Sequence, residues 1–319
     1  MDRNSSSYVA PAWLPGGHAQ TVYASLRPPP AVPLVRERWD APDGDFIDVD
    51  FGGAPEARRL LVLFTGLEGS SDSHYARAIA AHAIASGWRI AIPHWRGCSG
   101  ELNRLPRAYH SGDSGEADWV LRRLARPARE LYAAGVSLGG NVLLKWLGER
   151  GAAAAGIVRR AAAVSVPLDV GAGGRALDRG LNRLLYTRMF LATLKPKSIA
   201  KLARFPSLYD AAKVRAARTF REFDDVVTAP LHGFRDVDHY WTSASSCHVL
   251  EGIRVPTLLL NARNDPFLPE RDLIAATRRA SPSVVLEFPR AGGHAGFVTG
   301  PFPGRYTWLP RRLFDFLTA

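Results

Sequence analysis

The sequence predicts an α/β fold in which a mostly parallel β-sheet is flanked by helices. From Leu60 onward, short apolar runs alternate with segments that have a helical spacing of apolar residues, and this alternation is typical of strand–helix–strand units. The chain has 319 residues, of which 46% are hydrophobic. That is enough for one large α/β domain with a full core.

The elements follow one another in a regular order. An extended arm containing Pro28–Pro30 precedes a predicted hairpin between Val35 and Phe51, which turns at residues 42–45. Further strands are expected at Leu60–Phe64, Ile90–Pro93, Leu131–Gly135, Ala161–Val166, Val255–Ala262 and Val284–Pro289, and helices at Tyr75–Ala85, Gly115–Leu124 and Leu138–Glu149.

The alternation stops between about Leu168 and Arg254. Apolar residues at helical spacing predict three amphipathic helices in this segment, within 181–191, 199–205 and 214–223. We therefore expect a core made of residues 1–167 and 255–319, with a helical cap inserted at 168–254 to give a single catalytic domain. Ordinary additional core helices are the alternative.

A serine stands at the apex of a strand–turn–helix pattern. The apolar run Leu131–Ala134 leads into the Gly-x-Ser-x-Gly tract Gly135–Gly139, whose serine is Ser137, and a helical pattern follows at once. In α/β-hydrolases a strained turn of this kind, the nucleophile elbow, holds the serine oxygen clear of the backbone. The motif alone is weak evidence, because Ser137 could also be a helix N-cap.

Two partners for the serine follow in the order acid, then histidine. Asp265 comes just after the strand predicted at Val255–Ala262, at the end of the sheet where sites in open α/β folds lie. His294 lies among glycines in the loop after the next predicted strand. We expect Ser137 to be the nucleophile, His294 the base and Asp265 the acid that orients it.

Other residues could fill the same roles. Asp169 follows an earlier predicted strand and is the alternative acid, whereas Asn264 cannot serve as an anion. His110 is the alternative base, but it precedes the serine, and Ser111 or Asp113 after it could cap a helix. A turn-forming aspartate and an ordinary loop histidine are the simpler interpretations of Asp265 and His294. The joint occurrence of three correct residues in the correct order favours the triad.

An oxyanion hole needs two backbone N–H groups that point at the same place. The N–H of Leu138, directly after the nucleophile, is the expected first donor. The loop Thr65–Gly69 follows a predicted buried strand, and we expect the N–H of Leu67 to be the second donor. A plain strand-to-helix turn is the alternative, while a phosphate loop is disfavoured because its lysine is missing.

Seven short motifs are distributed along the chain: Pro15–Thr21, Thr65–Ser70, Trp95–Glu101, Tyr109–Gly112, Gly135–Gly140, Asn261–Phe267 and Gly292–Phe297. Together they resemble the YheT-like branch of the α/β-hydrolases, the bacterial relatives of mammalian α/β-hydrolase-domain lipid esterases. The resemblance extends from about Trp13 to about Leu317, and the stretch Arg96–Glu101 is specific to this branch.

The resemblance implies hydrolysis of carboxylic esters, either acylglycerols or short-chain esters, with the same three residues as the triad and no cofactor. The chain departs from the usual pattern at Thr65, where a histidine is common, and at Asn264, where the acidic loop often has an aspartate. The second departure favours Asp265 as the acid. Thioester hydrolysis or acyl transfer by the same triad, and a non-catalytic ligand-binding module, remain alternatives.

Charge and cysteine content bear on partners and compartment. The formal net charge is +11, but it is spread along the chain without a basic helix or an aromatic–basic motif, so we expect no nucleic-acid partner. Biased codon usage is the favoured explanation of the many arginines, and among functional roles a weak, peripheral contact with a membrane surface is preferred. Two cysteines, Cys98 and Cys247, fit a reducing cytoplasm. No metal site is expected, and a polar loop is favoured over metal binding at Asp236–His239.

The start of the chain and its longest apolar runs argue against membrane targeting. Residues 1–7 are polar and lack the apolar core of a signal peptide. No apolar run approaches the roughly 20 residues of a membrane span. We therefore expect a cytoplasmic protein, whose oligomeric state the sequence does not indicate.

Overall fold

The computed structural model describes residues 6–319, so most of the polar start that argues against a signal peptide lies outside the described residues. One sheet of eight strands runs through this part of the chain in the order β1-β2-β4-β3-β5-β6-β7-β8. The first two strands form a hairpin whose second strand is antiparallel to β4, and all other neighbours are parallel. The strands are β1 (Val35–Asp40), β2 (Phe46–Gly52), β3 (Arg59–Phe64), β4 (Arg89–Pro93), β5 (Glu130–Val136), β6 (Ala161–Val164), β7 (Thr257–Leu260) and β8 (Val284–Glu287). The predicted mostly parallel sheet is confirmed.

Strand β3 illustrates why the central strands read as continuous apolar runs. Leu60, Val62 and Phe64 belong to one core cluster, whereas Leu61 and Leu63 belong to a second. All five side chains are at most 1% exposed. Because side chains alternate between the two faces of a strand, a strand covered on both faces needs an apolar residue at every position.

Helices cover the sheet on both faces, and three of the predicted ones agree with the structure to within one residue at each end. The helices of the described residues are α1 (Gly17–Leu26), α2 (His74–Ala85), α3 (Ser114–Leu124), α4 (Leu138–Arg150), α5 (Val170–Leu177), α6 (180–202), α7 (Ala211–Ala216), α8 (220–231), α9 (Val237–Ala244), α10 (Glu270–Ala276) and α11 (Trp308–Thr318). Helix α6 consists of Gly180–Asn182, a π-helical turn at Arg183–Thr187, and Arg188–Leu202. Helix α8 consists of Phe220–Phe223, a π-helical turn at Asp224–Thr228, and Ala229–Leu231. Short 3₁₀ turns lie at Gly151–Gly156, Ser246–His248 and Leu250–Gly252.

Helices α5 to α9 all lie between β6 and β7, where the described chain contains no strand. They build two small hydrophobic clusters of their own, one around Tyr240 and Trp241 and one around Leu191 and Phe223. Separate clusters are the usual result when an insertion packs outside the main core. The division into a core and a cap at 168–254 stays a prediction.

The helix boundaries predicted inside this segment are wrong in two places. The helices expected at 181–191 and 199–205 are one helix, α6, which continues through Pro196 and ends at Leu202. The helix expected at 214–223 is instead broken between α7 and α8, because Thr219 caps α8 by accepting a hydrogen bond from the Glu222 N–H. The spacing of apolar residues predicts where helices form, but it does not reveal a cap residue that separates two short helices.

No helix formed by residues 6–319 combines the length and the hydrophobicity that a bilayer-spanning helix requires.

Candidate active site

Ser137 occupies a strained turn between β5 and α4. Its backbone has φ 56° and ψ −122°, a region that residues with a side chain rarely adopt. The turn is held because the Ser137 N–H donates to the Val164 carbonyl at 2.8 Å. Close packing then explains the glycines around it: a Cβ on Gly139 would lie 2.4 Å from the Phe64 carbonyl oxygen, and one on Gly135 would lie 2.4 Å from the Gly139 oxygen.

Replacing Gly139 by alanine tests this packing. Because the new Cβ would meet backbone atoms of β3, which cannot rotate away, we expect Gly139→Ala to lower the free energy of unfolding by more than about 2 kcal/mol. The measurement is urea unfolding followed by circular dichroism. The matched control is Gly115→Ala in α3, where a Cβ meets nothing within 4 Å, and which should be neutral or stabilising by up to about 1 kcal/mol. Equal stability of the two variants would contradict the packing argument.

Asp265 and His294 lie in hydrogen-bond contact. His294 Nδ1 is 2.8 Å from Asp265 Oδ2, and the aspartate side chain is fully buried. Asp265 Oδ1 accepts a second hydrogen bond, from the Phe267 N–H at 2.8 Å, and the Phe267 ring stacks on the imidazole with ring centroids 4.0 Å apart. This arrangement fixes the Nδ1–H tautomer and leaves Nε2 as the nitrogen that can take a proton.

Helix α1 holds the loop that carries His294. The Gln20 side-chain oxygen accepts from the Gly292 N–H at 2.8 Å, and Thr21 Oγ1 accepts from the His294 N–H at 2.8 Å. Asn264 adds a third bond by accepting from the Gly293 N–H at 3.0 Å. The motif Pro15–Thr21 thus supplies supports for the histidine loop, a role that its sequence alone does not reveal.

His74 and Ser165 support the same loop at Ala295. His74 Nε2 lies 2.8 Å from the Ala295 carbonyl oxygen, while Ser165 Oγ accepts from the Ala295 N–H at 2.9 Å. Burial lowers the pKa of His74 to about 4 from an ordinary value of 6.5. The imidazole is therefore neutral and donates Nε2–H to the loop.

Acid should weaken the protein through His74. Between pH 4 and 6.5 the unfolded chain binds a proton that the folded chain does not, so stability falls as the pH falls through this window. At about pH 5 we expect His74 to account for roughly 2 kcal/mol of lost stability. The glutamine in His74→Gln can still donate to the carbonyl but does not titrate, so urea unfolding of this variant should lose less stability on acidification than the wild type. His248→Gln, at an exposed position, should keep the wild-type slope, and an unchanged slope for His74→Gln would contradict the assignment.

Two unoccupied N–H groups lie next to the serine. In the described residues, the N–H groups of Leu67 and Leu138 have no hydrogen-bond partner. Their neighbours are anchored: the Gly66 N–H donates to the Tyr75 hydroxyl at 2.8 Å, and the Glu68 N–H donates to the Tyr109 hydroxyl at 2.9 Å. A Cβ on Gly66 would lie 3.2 Å from the Ser137 Cβ, so the loop that carries Leu67 abuts the serine. Two N–H groups fixed in this way are what an oxyanion hole requires.

The anchoring tyrosine is itself held by a glutamate that forms a partly buried ion pair. Burial raises the pKa of Tyr109 well above its ordinary value, so its hydroxyl stays protonated and donates to Glu68 Oε1 at 2.9 Å. Lys197 of α6 pairs with Glu68 Oε2 at 2.8 Å. The helical insertion is thereby linked directly to the loop that carries Leu67.

Each alternative site residue has a structural partner of its own. Asp169 caps α5 by accepting from the Ala172 N–H at 2.8 Å, and Asp236 caps α9 by accepting from the His239 N–H at 2.7 Å. His110 lines the same cavity as Ser137 and His294, and its Nδ1 accepts from the Gly112 N–H at 3.1 Å. Residues 6–319 contain no cluster of three or more His, Cys, Asp or Glu side chains arranged to hold a metal ion.

Ser137 and His294 line one cavity of about 160 Å³. The rest of its wall is mostly apolar and comes largely from the insertion, including Val170, Phe190 and Phe220. Among the described residues, no hydrogen bond joins Ser137 Oγ to His294 Nε2. Such contacts commonly tighten only when a substrate is bound.

Comparisons with known proteins agree with this architecture. Residues 59–301 match the family model described as the alpha/beta hydrolase fold. The chain is 37% identical over 290 residues to YheT of Escherichia coli strain K12, a protein that bears the name of an esterase, and the match covers 89% of this chain and 84% of YheT. It is 31% identical over 330 residues to mouse phospholipase ABHD3, covering 99% of this chain and 79% of that protein.

A more distant relative and a solved structure extend the comparison. The chain is 27% identical over 280 residues to the monoacylglycerol lipase of Saccharomyces cerevisiae, covering 82% of this chain and 59% of that protein. An esterase structure from Exiguobacterium antarcticum superposes with a TM-score of 0.58 at 15% identity, covering 89% of this chain and 100% of that one, and it supports the fold alone. Together with the matches to YheT and ABHD3, these findings establish that the chain belongs to the α/β-hydrolase family and is a carboxylic ester hydrolase.

Proposed function

We propose that the ester hydrolysis proceeds through a Ser137–His294–Asp265 triad and an acyl-enzyme. His294 Nε2 takes the proton of Ser137 as its oxygen attacks the ester carbonyl, and then donates that proton to the departing alcohol. Asp265 holds the imidazole and stabilises its charged form. The single observation that carries the proposal is the 2.8 Å contact between His294 Nδ1 and a fully buried Asp265 carboxylate, beside a cavity that Ser137 also lines.

The free N–H groups of Leu67 and Leu138 are the proposed oxyanion donors. They would hold the negative charge that develops on the carbonyl oxygen, and removing one such donor typically costs about 3 kcal/mol of transition-state stabilisation. In the second half of the cycle, His294 activates a water that releases the acid from Ser137. This chemistry needs neither a metal nor a cofactor.

The proposed substrates are short-chain or acylglycerol-type esters, bound under a cap formed by residues 168–254. The predominantly apolar cavity wall supports an acyl chain as the group bound there.

We also propose that the enzyme acts in the cytoplasm. Both of its cysteines, Cys98 and Cys247, are unpaired, as is usual in a reducing compartment.

Hydrolysis of p-nitrophenyl esters of increasing acyl length tests the proposed substrate class. We expect turnover with a defined optimum of chain length, because a cavity of fixed size accepts a limited number of methylene groups. Acyl-coenzyme A thioesters, assayed by thiol release, form the comparison series. Faster turnover of thioesters than of esters with the same acyl group would favour thioesterase chemistry, and binding of esters without turnover would favour the ligand-binding module.

A further inference from the structure

Helix α6 carries a row of exposed apolar side chains, which we call the α6 stripe. Its members Leu181, Leu184, Leu185 and Met189 are 52%, 67%, 43% and 52% exposed. Although the helix has a π-helical turn at Arg183–Thr187, all four face solvent, whereas Tyr186 and Thr187 between them are buried. The four therefore share the exposed side of the helix. Such a contiguous exposed apolar row is uncommon on a soluble domain and marks an interaction surface.

The charged residues from 179 to 209, a range that includes the stripe, are all basic. Between Asp178 and Asp210 the sequence has no acidic residue. Arg179, Arg183 and Arg188 are exposed beside the stripe, and none of them forms an ion pair with another described residue. The lysines of the same segment are bonded to neighbouring loops instead, through Lys195, Lys197 and Lys201.

The nearest acid along the chain, Asp178, is bonded to the backbone of helix α8. Asp178 accepts hydrogen bonds from the backbone N–H groups of Phe220 and Arg221, at 2.7 and 3.0 Å. Asp178 still attracts Arg183 electrostatically, whereas Arg179 and Arg188 have no carboxylate partner among the described residues. The face therefore keeps an excess of positive charge beside its apolar groups, which is the combination that binds an interface with anionic headgroups.

The opposite face of α6 belongs to the candidate active site. Phe190 and Leu194 line the cavity that contains Ser137. At the start of the helix, the Asn182 side chain donates to the Pro266 carbonyl at 2.6 Å, next to Asp265. One helix diameter, about 10 Å, thus separates the stripe from the wall of the site.

We propose that the α6 stripe and its three arginines dock the enzyme onto a lipid bilayer that contains anionic lipids. The apolar side chains enter the boundary between headgroups and acyl chains, while the arginines pair with headgroup charge. A symmetric contact between two copies is disfavoured, because it would bring the unpaired arginines of both copies together. The biological purpose of docking rests on the proposed function, because a lipid ester would be taken up at such a surface. Docking itself is measured independently of ester hydrolysis.

Vesicle flotation tests the proposal with the full chain. The vesicles contain phosphatidylcholine alone or phosphatidylcholine with phosphatidylglycerol, at low and at high salt. We expect binding to the anionic vesicles that weakens with salt. The double variant Leu184→Gln, Met189→Gln should lower the partition coefficient by at least about tenfold, and Arg183→Gln or Arg188→Gln by about fivefold each.

Matched controls separate docking from general surface effects. Leu26→Gln removes an apolar side chain that is 76% exposed on another helix, and Arg271→Gln removes an arginine that is 86% exposed elsewhere; both should bind vesicles as the wild type does. All variants should hydrolyse a water-soluble short-chain ester at the wild-type rate, because none of the changed residues touches the cavity.

The remaining outcomes overturn one proposal without the other. Wild-type protein that stays unbound with anionic vesicles, or a double variant that binds as well as Leu26→Gln, would refute docking while leaving ester hydrolysis intact. A dimer in size-exclusion chromatography that the double variant converts to a monomer would assign the stripe to self-association instead. Vesicle binding by a protein that hydrolyses no ester would uphold docking and refute the proposed function.

Discussion

Ser137→Ala should reduce kcat for p-nitrophenyl ester hydrolysis by about a millionfold, because the acyl-enzyme route is lost entirely. The proposed oxyanion donors and the cavity remain, so a small residual rate over water and a nearly unchanged KM are expected. The measurement is steady-state kinetics together with labelling by a serine-directed fluorophosphonate, which should react with the wild type and not with the variant.

Ser111→Ala is the matched control for this change. Ser111 lines the same cavity, and its hydroxyl accepts a hydrogen bond from Tyr240 at 3.1 Å. Loss of one neutral hydrogen bond should cost no more than about tenfold in rate. Labelling that persists in Ser137→Ala and disappears in Ser111→Ala would show that the nucleophile is the wrong serine.

Asp265→Asn should lower kcat by about ten-thousandfold while leaving the fold intact. An asparagine amide in place of the buried carboxylate favours the wrong tautomer of His294 and no longer stabilises its charged form. The variant should still react slowly with the fluorophosphonate, since Ser137 remains. Kinetics and labelling rates, measured alongside the unfolding midpoint, separate this effect from a loss of stability.

Asp169→Asn provides the same chemical change at the alternative acid. An asparagine can cap α5 as well as an aspartate does, so we expect a change in kcat of less than about threefold. A larger loss of activity in Asp169→Asn than in Asp265→Asn would reverse the choice of acid, which in this family of folds can follow either of two strands.

The parts of the architecture that depend on local pattern were predictable from the sequence. The strands of the sheet were predicted to within about three residues at their ends because continuous apolar runs are dictated by burial on both faces. The elbow was recognisable because its glycines are forced by backbone contacts at Gly135 and Gly139. These constraints act within a few residues of the chain, and they leave a direct trace in the sequence.

Long-range supports left no such trace. Gln20 and Thr21 contact the histidine loop across more than 270 positions of the chain, and they do so by accepting from backbone N–H groups, which every residue except proline supplies. His74 and Ser165 likewise contact only the backbone of Ala295. Because the side chains of the loop residues take no part in these hydrogen bonds, the contacts cannot be predicted from the residue types in the sequence.

The α6 helix shows the opposite limitation. Its apolar spacing predicted an amphipathic helix, but the row at 181–189 lies exposed while Tyr186, Phe190 and Leu191 on other faces pack inward. A helix with apolar residues on two faces has no unique buried side by pattern alone. Only the position of the cavity beneath it decides which face packs and which remains free.

The hydrogen bonds from Gln20 and Thr21 to the histidine loop also bear on when activity can arise during synthesis. These two residues are separated from Gly292 and His294 by more than 270 positions of the chain. At translation rates of about 5–20 residues per second, more than about 10 seconds pass between the synthesis of the two partners. A nascent chain that has not yet reached this loop lacks the proposed base. The supported histidine loop, and with it hydrolytic competence, therefore forms only after two widely separated segments have been made and have come together.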